Sequence, residues 1–352
     1  MTDPQSSISL PDVDDEFARI VDELTRRGLL AGGAGGAALW AVAGCAGHDP
    51  RSATASSGAT DTERTVTTTA GTFTVPRNPE HVVCIDYFTA IFLVELGLTP
   101  IGGIDYSWVN AASMYAGYVP ALKKLANIGQ ISSTNFEKVA ALDPDLILGP
   151  TPGSRYDNSK GAMSKLSSVA PVASVDFGQT GDWRGPLRQT AELVGRMAEL
   201  KPLIASYRAS IAAAKQTYAD LLASTVVSVV DYSQSGSFAL DLPASTDGVV
   251  LADLGVRFGK ASAANGTSTR ELSLERIGDL ADSDIILFRA DAKGAPTNGL
   301  DDVVGLSAWK ELPAVKAGHT YPIGWADVCT YRWAEQAVTD LTSIFDDYRG
   351  DG

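Results

Sequence analysis

NFEKV at residues 135–139 and SLERI at residues 273–277 decide how the fold is interpreted, because the same pattern follows both. After NFEKV the chain continues to DLIL at residues 145–148, and after SLERI it continues to DIIL at residues 284–287. Each copy predicts a short helix that begins at a polar residue and carries a glutamate in its first turn. An aspartate and a buried strand then follow in both copies.

The repeat extends upstream into two further apolar stretches. VVCIDY at residues 82–87 precedes a helical pattern that ends in ELGL at residues 95–98. VSVVDY at residues 227–232 precedes one that ends in DLGV at residues 253–256. Two distant copies predict two similar α/β lobes rather than a solenoid. A cleft between two lobes is a common place for a ligand.

Apolar strands alternate with helical patterns in both halves of the chain, which predicts mostly parallel sheets with helices on their faces. The predicted strands are 82–86, 99–104, 145–149 and 172–176 in the first half, and 226–231, 256–258, 284–288 and 319–323 in the second. Residues 65–75 predict a hairpin, residues 185–196 predict a helix, and residues 334–347 predict a closing amphipathic helix.

One long helix is predicted between the two halves, over about residues 201–222. Pro202 suits its first turn, where a missing N–H costs nothing. One apolar face recurs at near-helical spacing, formed by Leu203, Tyr207, Ile211, Tyr218 and Leu222. We therefore expect two Rossmann-like lobes, joined by a single long α-helix, with a ligand cleft between them. The predicted boundaries are 65–185 for the N-terminal lobe, 186–223 for the helical connection and 224–349 for the C-terminal lobe.

The N-terminus has the pattern of an export signal. Arg26 and Arg27 lie in TRRGLL, an apolar stretch follows, and the small residues VAG precede Cys45. The stretch is too short and too rich in glycine to span a membrane. Residues 1–44 are therefore predicted to be a twin-arginine lipoprotein signal peptide, and Cys45 the acylated first residue of a flexible tether over residues 45–64. A plain anchor helix with an incidental cysteine is the alternative.

Composition argues against several function classes. The chain has 28 Lys and Arg against 42 Asp and Glu, a formal net charge of −14, which argues against binding to nucleic acid or to an anionic lipid surface. Its three histidines are not spaced as metal ligands. No nucleophile elbow, phosphate loop or HExxH helix occurs, so we expect no enzyme, no cofactor and no resident metal. Cys84 is expected in the core and Cys329 in a loop near the other end of the chain, with a disulfide between them as the alternative.

Several motifs resemble the iron–siderophore and cobalamin binding proteins of ABC importers, over about residues 65–345. They are residues 76–83 leading to GLTPIG at 97–102, residues 128–149, LSSVAPV at 166–172, LSLE at 272–275 and WKELPAVKAG at 309–318. The resemblance implies a monomeric receptor on the outer face of the cytoplasmic membrane, which captures a ferric siderophore for a permease and its ATPase. Haem and cobalamin are the alternative ligands, and a scaffolding or sensing lipoprotein is the alternative function.

The resemblance also implies a role for Glu137 and Glu275. In that family the acidic residue of each such helix projects from the tip of a lobe and meets arginines of the permease. A glutamate in the first turn also stabilises its own helix through the helix dipole. Its recurrence at equivalent positions in both halves favours docking.

Candidate ligand residues follow from a rule of α/β folds, in which binding groups lie on loops after the carboxyl ends of strands. The rule selects Asp86, Tyr106 and Arg289 among others. The best candidates are Tyr87, Trp108, Arg155, Tyr232, Trp325 and Arg332. Aromatic walls with a few arginines would suit a bulky, partly anionic iron chelate.

Overall fold

The computed structural model describes residues 62–110, 114–154, 156–157, 161–263, 266–291, 293–325 and 327–350. The predicted signal with Arg26 and Arg27, the predicted anchor Cys45 and the candidate ligand residue Arg155 lie outside these ranges. Within them, no helix combines the length and the apolarity that a membrane crossing requires.

The first lobe contains a parallel five-stranded sheet, preceded by a hairpin of β1 (Glu63–Thr68) and β2 (Gly71–Pro76). Its strands are β3 (Val82–Cys84), β4 (Gly102–Gly103), β5 (Ala126–Asn127), β8 (Leu146–Pro150) and β9 (Val172–Val175). They lie in the order β5-β4-β3-β8-β9. A small antiparallel pair, β6 (Gly129–Gln130) and β7 (Ser133–Thr134), lies beside it. All residues of β3 are buried, as expected when helices cover both faces of a sheet.

Five helices lie among the described residues of this half. They are α1 (Tyr87–Glu95), α2 (Val119–Leu122), α3 (Phe136–Ala141), α4 (Ala162–Leu166) and α5 (Arg184–Leu193). Asp86 fixes where α1 begins, because its carboxylate accepts hydrogen bonds from the backbone N–H groups of Phe88 at 2.7 Å and Thr89 at 2.8 Å. The end of β3 and the start of α1 are therefore held together at one edge of the sheet.

The connecting helix α6 (Met197–Thr217) is followed directly by α7 (Ala219–Ser224). The predicted helix over 201–222 thus begins four residues earlier, and it is interrupted at Tyr218. The placement of Pro202 in a first turn is wrong, since this residue lies inside the helix. Leu200, Tyr207 and Ala214 form the buried side of α6, which packs against the closing helix α12 (Tyr331–Gly350).

The second lobe has a mixed sheet of six strands. They are β10 (Val226–Gln234), β11 (Ser237–Asp241), β12 (Arg257–Phe258), β13 (Thr269–Ser273), β14 (Ile285–Arg289) and β15 (Thr320–Ile323). The main order is β13-β11-β10-β14-β15, with β12 also paired to β10. Pairing is parallel among β10, β12, β14 and β15, whereas β11 is antiparallel to β10 and β13. The hairpin of β10 and β11 separates the repeated strand from its helix, which the repeat did not predict.

Short helices complete the second lobe. They are α8 (Gly248–Leu254), a 3-10 helix (Leu274–Leu280), α9 (Asp301–Val304), α10 (Ser307–Lys310) and α11 (Pro313–Lys316). The SLERI segment therefore forms a 3-10 helix, while NFEKV forms the α-helix α3. The predicted fold class is confirmed: two α/β lobes with a single long helix between them.

Candidate functional site

A cavity of about 330 Å³ lies between the two lobes, near the lower end of the range of roughly 300–1,000 Å³ that is usual for ligand pockets. From the first lobe it is lined by Tyr87, Trp108 and Asn110; from the second lobe it is lined by Arg289, Ala290, Asp291, Thr297, Asn298, Ile323, Gly324 and Asp327. These residues follow or end β3, β4, β14 and β15. The cavity therefore lies at the carboxyl edges of both sheets, as the rule for α/β folds predicts.

The wall of the first lobe is a stack of aromatic rings. The ring of Tyr87 lies 5.8 Å from that of Trp108 with an interplanar angle of 16°, and 6.0 Å from that of Tyr106. The Tyr106 hydroxyl donates to the carbonyl oxygen of Tyr87 at 2.6 Å, and Trp108 Nε1 donates to the carbonyl oxygen of Asp105 at 3.0 Å. Trp108 is nevertheless 52% exposed. An indole that is fixed in place and open to solvent is a preformed apolar platform.

The wall of the second lobe is built around Arg289, which is buried. Its guanidinium donates to Asp231 at 2.9 Å, to Asp241 at 2.9 Å and to Asp247. Burial raises the pKa of both Asp241 and Asp247, and the charge of Arg289 opposes that rise. The guanidinium thus neutralises buried carboxylates of its own lobe.

The same cluster also positions the loop that closes the cavity after β15. Arg289 Nη1 donates to the carbonyl oxygen of Trp325 at 2.5 Å, and Asp247 accepts from the backbone N–H of Val328 at 2.9 Å. In this loop Asp327 adopts a positive φ of 53°, and Asn298 on the facing loop has a φ of 55°. Aspartate and asparagine adopt this left-handed conformation more readily than other non-glycine residues.

The structure brings two of the predicted ligand residues, Tyr87 and Trp108, to the cavity. Tyr232, Trp325 and Arg332 do not line it. Trp325 is only 4% exposed and packs beside Arg289, so its ring belongs to the core behind the loop. Arg332 binds within the protein, because its Nη1 donates to Glu95 Oε2 at 2.9 Å and to the Glu95 carbonyl oxygen at 2.8 Å. Ligand contacts by these residues stay predictions.

Glu95 forms a link between the lobes that sequence reasoning did not find. Its buried carboxylate accepts from the Tyr118 hydroxyl and, at 3.1 Å, from the backbone N–H of Arg332 in the first turn of α12. The Tyr118 oxygen also lies 2.8 Å from Thr330 Oγ1. Burial, followed by the Glu95 charge, raises the pKa of Tyr118, so the phenol stays protonated as a donor.

The repeat contained the signal for this link. Asp253, which is equivalent to Glu95 in the second half, accepts two hydrogen bonds from Arg184 Nη1, at 2.9 and 2.7 Å. It also accepts from the hydroxyl of Tyr207 on α6 at 2.9 Å. In both halves an acidic residue at the end of the repeated helix therefore binds an arginine and a tyrosine from elsewhere in the chain.

The two predicted docking residues are both exposed. Glu137 lies in the first turn of α3, where the Asn135 side chain caps the backbone N–H of Lys138 at 2.9 Å. Glu275 lies in the first turn of the 3-10 helix, whose preceding residue Ser273 makes no side-chain cap. Neither glutamate lines the cavity.

The two cysteines of the described ranges, Cys84 and Cys329, are buried thiols and form no disulfide. Burial raises the pKa of both thiols. Cys84 is the core residue that the sequence predicts, and Cys329, predicted only to lie in a loop, is buried in the core as well.

Known proteins share this architecture. Residues 82–324 match the periplasmic binding protein family. The probable siderophore-binding lipoprotein YfiY of Bacillus subtilis is 26% identical over 296 residues, which cover 80% of this chain and 87% of that protein. The siderophore periplasmic binding protein from the fuscachelin gene cluster of Thermobifida fusca has a TM-score of 0.66 at 25% identity, covering 78% of this chain and 98% of that one. Staphylococcus aureus SirA complexed with staphyloferrin B has the same fold, with a TM-score of 0.65 at 22% identity over 80% of this chain and 98% of that one. The chain therefore belongs to the periplasmic binding protein family and is a substrate-binding protein, not an enzyme.

Proposed function

We propose that this chain is the extracytoplasmic substrate-binding lipoprotein of an ABC importer, and that it captures a ferric siderophore for the permease and its ATPase. The observation that carries the proposal is the cavity between the lobes, with the stacked pair Tyr87 and Trp108 as one wall. The names of relatives support it, among them the siderophore-binding lipoprotein YfiY and the iron(3+)-hydroxamate-binding protein FhuD of Bacillus subtilis.

The aromatic wall would bind the organic skeleton of the chelate. Stacking and hydrogen bonds already order Tyr87 and Trp108, so little side-chain entropy remains to be lost when a ligand binds. Lobe movement is limited as well, because α6 is one continuous helix and two arginine–carboxylate links, Glu95–Arg332 and Asp253–Arg184, connect distant parts of the chain. Capture should therefore need only modest closure.

Quenching of tryptophan fluorescence tests the ligand class, with a panel of ferric siderophores, haemin and cobalamin. We expect saturable quenching by a ferric siderophore, and loss of about 2 kcal/mol of binding free energy in Trp108→Ala, as is common for a buried aromatic contact. Trp309→Phe is the control, because Trp309 is buried in the core of the second lobe, away from the cavity. If only haemin or only cobalamin binds, that molecule is the ligand and the ferric siderophore is not. Binding of none would favour a scaffold or sensor.

Docking through Glu137 and Glu275 is part of the proposal, supported by their exposure on both lobes. Reversing both to arginine places like charges opposite the expected permease arginines, which costs several kcal/mol across an interface. We expect unchanged ligand affinity but no uptake by cells. The control is Glu80→Arg with Glu311→Arg, which changes the charge equally at two other exposed glutamates. Normal uptake by the Glu137/Glu275 variant would contradict docking. The two glutamates would then only stabilise their own helices through the helix dipole.

Anchoring through Cys45 completes the proposal, supported by the small residues before it and the twin-arginine pattern. A diacylglycerol supplies two acyl chains, whereas one chain binds membranes only marginally. Cys45→Ala should release the protein or leave its precursor uncleaved, and Arg26→Lys with Arg27→Lys should block export. Recovery of the wild type in the soluble secreted fraction without detergent would contradict the anchor.

A further inference from the structure

Three aromatic rings stack in the wall that the first lobe contributes to the cavity. The ring of Tyr87 joins the other two, at 6.0 Å and 27° from the ring of Tyr106 and at 5.8 Å and 16° from that of Trp108. Both spacings lie in the range of offset-stacked aromatic pairs. Tyr106 is only 3% exposed, whereas Trp108 is more than half exposed. The stack therefore begins in the core and ends at a ring that lines the cavity.

The last ring of this stack presents an aromatic surface and no free hydrogen-bond donor. Nε1 of Trp108 donates to the carbonyl oxygen of Asp105 in its own loop at 3.0 Å. An indole has no other polar atom. Trp108 therefore offers a ligand the surface of a ring whose orientation is already fixed.

The exposure of Trp108 differs from that of an ordinary surface residue. Isolated apolar side chains on a protein surface are common and need no explanation. Among the residues that the structure describes, however, Trp108 is the only large hydrophobic side chain that is exposed, and it lines the cavity between the lobes. A ligand in this cavity would cover the ring.

The wall that the second lobe contributes has a different character. No aromatic residue occurs among the described residues of that lobe that line the cavity. Ala290 and Ile323 supply aliphatic groups there, and Thr297 and Asn298 supply hydroxyl and amide groups. A flat ring in the cavity thus finds its aromatic partner surface on the side of Trp108.

Iron chelates differ in whether their iron-binding groups contain rings. In catecholates and phenolates the oxygen donors belong to an aromatic ring, so that this ring lies at the periphery of the complex. Hydroxamates and citrate-type carboxylates on aliphatic chains have no such ring. A stacked aromatic pair gains affinity beyond the burial of its apolar area. An exposed ring at the end of a stack therefore favours chelates of the first kind.

Given the proposed function, on which this inference rests, we infer that the cleft takes ferric chelates that carry aryl groups. One aryl ring of the chelate continues the stack on the uncovered surface of Trp108. The other arms of the chelate lie toward the hydroxyl and amide groups of the second lobe.

Two synthetic chelates test this inference without a difference in charge. Both are neutral, hexadentate ferric trihydroxamates, and their hydroxamate nitrogens carry phenyl groups in one and cyclohexyl groups in the other. Equilibrium dialysis, with the bound iron counted, measures both affinities without relying on the fluorescence of Trp108. We expect the phenyl complex to bind the wild type about three- to tenfold more tightly. Burial of apolar area alone would favour the cyclohexyl complex, because cyclohexyl has the larger apolar surface.

Two variants assign the preference to Trp108. Trp108→Leu keeps an apolar side chain but removes the ring, whereas Trp108→Phe keeps a ring. Neither replacement can donate to Asp105, so the two variants differ in aromatic character and not in that hydrogen bond. We expect the phenyl preference to vanish in Trp108→Leu and to persist in Trp108→Phe. Because Trp108 is largely exposed, the two variants should have similar melting temperatures.

The outcomes separate this inference from the proposed function. Equal or tighter binding of the cyclohexyl complex by the wild type overturns the inference alone, whatever the stability of the variants. A phenyl preference that persists in Trp108→Leu, or that is lost in Trp108→Phe as well, also overturns it, because the preference then does not follow the ring at position 108. Binding of a siderophore from the panel without binding of the phenyl complex overturns it too. Binding of no ferric chelate overturns the proposed function and the inference with it.

Discussion

Replacing Glu95 with alanine should weaken the contact between the first lobe and α12. The carboxylate is buried and accepts hydrogen bonds from the Tyr118 hydroxyl, from the backbone N–H of Arg332 at 3.1 Å and from Arg332 Nη1 at 2.9 Å. Each such bond contributes about 1 kcal/mol net, and somewhat more when one partner is charged. The full cost of a buried ion pair is not expected, because the Arg332 side chain is 42% exposed and can be solvated.

We therefore expect Glu95→Ala to lower the free energy of unfolding by about 2–4 kcal/mol, and the melting temperature by roughly 5–10 °C. Circular dichroism during heating and urea titration would measure both quantities. The matched control is Glu192→Ala, since Glu192 pairs with Arg188 at 3.0 Å on the surface of α5, where an exposed pair contributes about 0.3–0.5 kcal/mol.

A double-mutant cycle with Arg332→Ala shows whether the two residues act together. Coupling of about 1 kcal/mol or more is expected for Glu95 and Arg332, and little for Glu192 and Arg188. If Glu95→Ala melts within a degree of the wild type, or if the coupling is absent, the link does not stabilise the lobe contact. The reasoning on limited closure would then lose one of its supports.

Three further predictions follow from buried groups and from the connecting helix. Burial raises the pKa of Asp86 to about 6. The folded state therefore holds the proton of this carboxyl group more tightly than the unfolded state does. The resulting stabilisation is complete below about pH 4 and is lost as the pH rises through about 6. The unfolding free energy of the wild type should therefore fall by roughly 2–3 kcal/mol relative to Asp86→Asn over that range, and parallel pH profiles in urea titrations would contradict this. Trp325→Ala should lower stability by about 3–5 kcal/mol, because the ring is 4% exposed; an unchanged melting temperature would place it outside the core. Because α6 runs unbroken over Met197–Thr217, solution scattering should give nearly the same radius of gyration with and without ligand, and a large contraction would refute the rigid connection.

The repeat predicted the two lobes because burial on both faces leaves a plain signal in the sequence. VVCIDY and VSVVDY both contribute to central strands, and the rule on carboxyl ends led to Tyr87 and Trp108, which line the cavity. Strand pairing was harder to predict. Nothing in the apolar pattern of β10 shows that it continues to Gln234 and turns back through β11, because that extension depends on pairing with distant β13.

Side-chain partners were the least predictable part of the site. An arginine after a strand has the same sequence pattern whether it faces a ligand or a carboxylate of its own lobe. Arg332 binds Glu95, and Arg289 binds three aspartates from β10, β11 and the loop before α8. Those carboxylates are far from the arginines in sequence. Only the folded chain therefore shows that the charge of each arginine is paired within the protein. The loop with Asp291, Thr297 and Asn298 has no motif that marks it as part of a cavity.

The position of bound iron tests the central claim most directly. Crystals grown with a ferric trihydroxamate, with diffraction recorded at the iron absorption edge, would locate the metal by its anomalous signal. The account predicts a single strong iron peak inside the cavity, with Tyr87 and Trp108 on one side and the loops of Asp291 and Gly324 on the other. An iron peak outside this cleft would contradict the account. The absence of an iron peak between the lobes in crystals grown at a saturating concentration of the ligand would also contradict it.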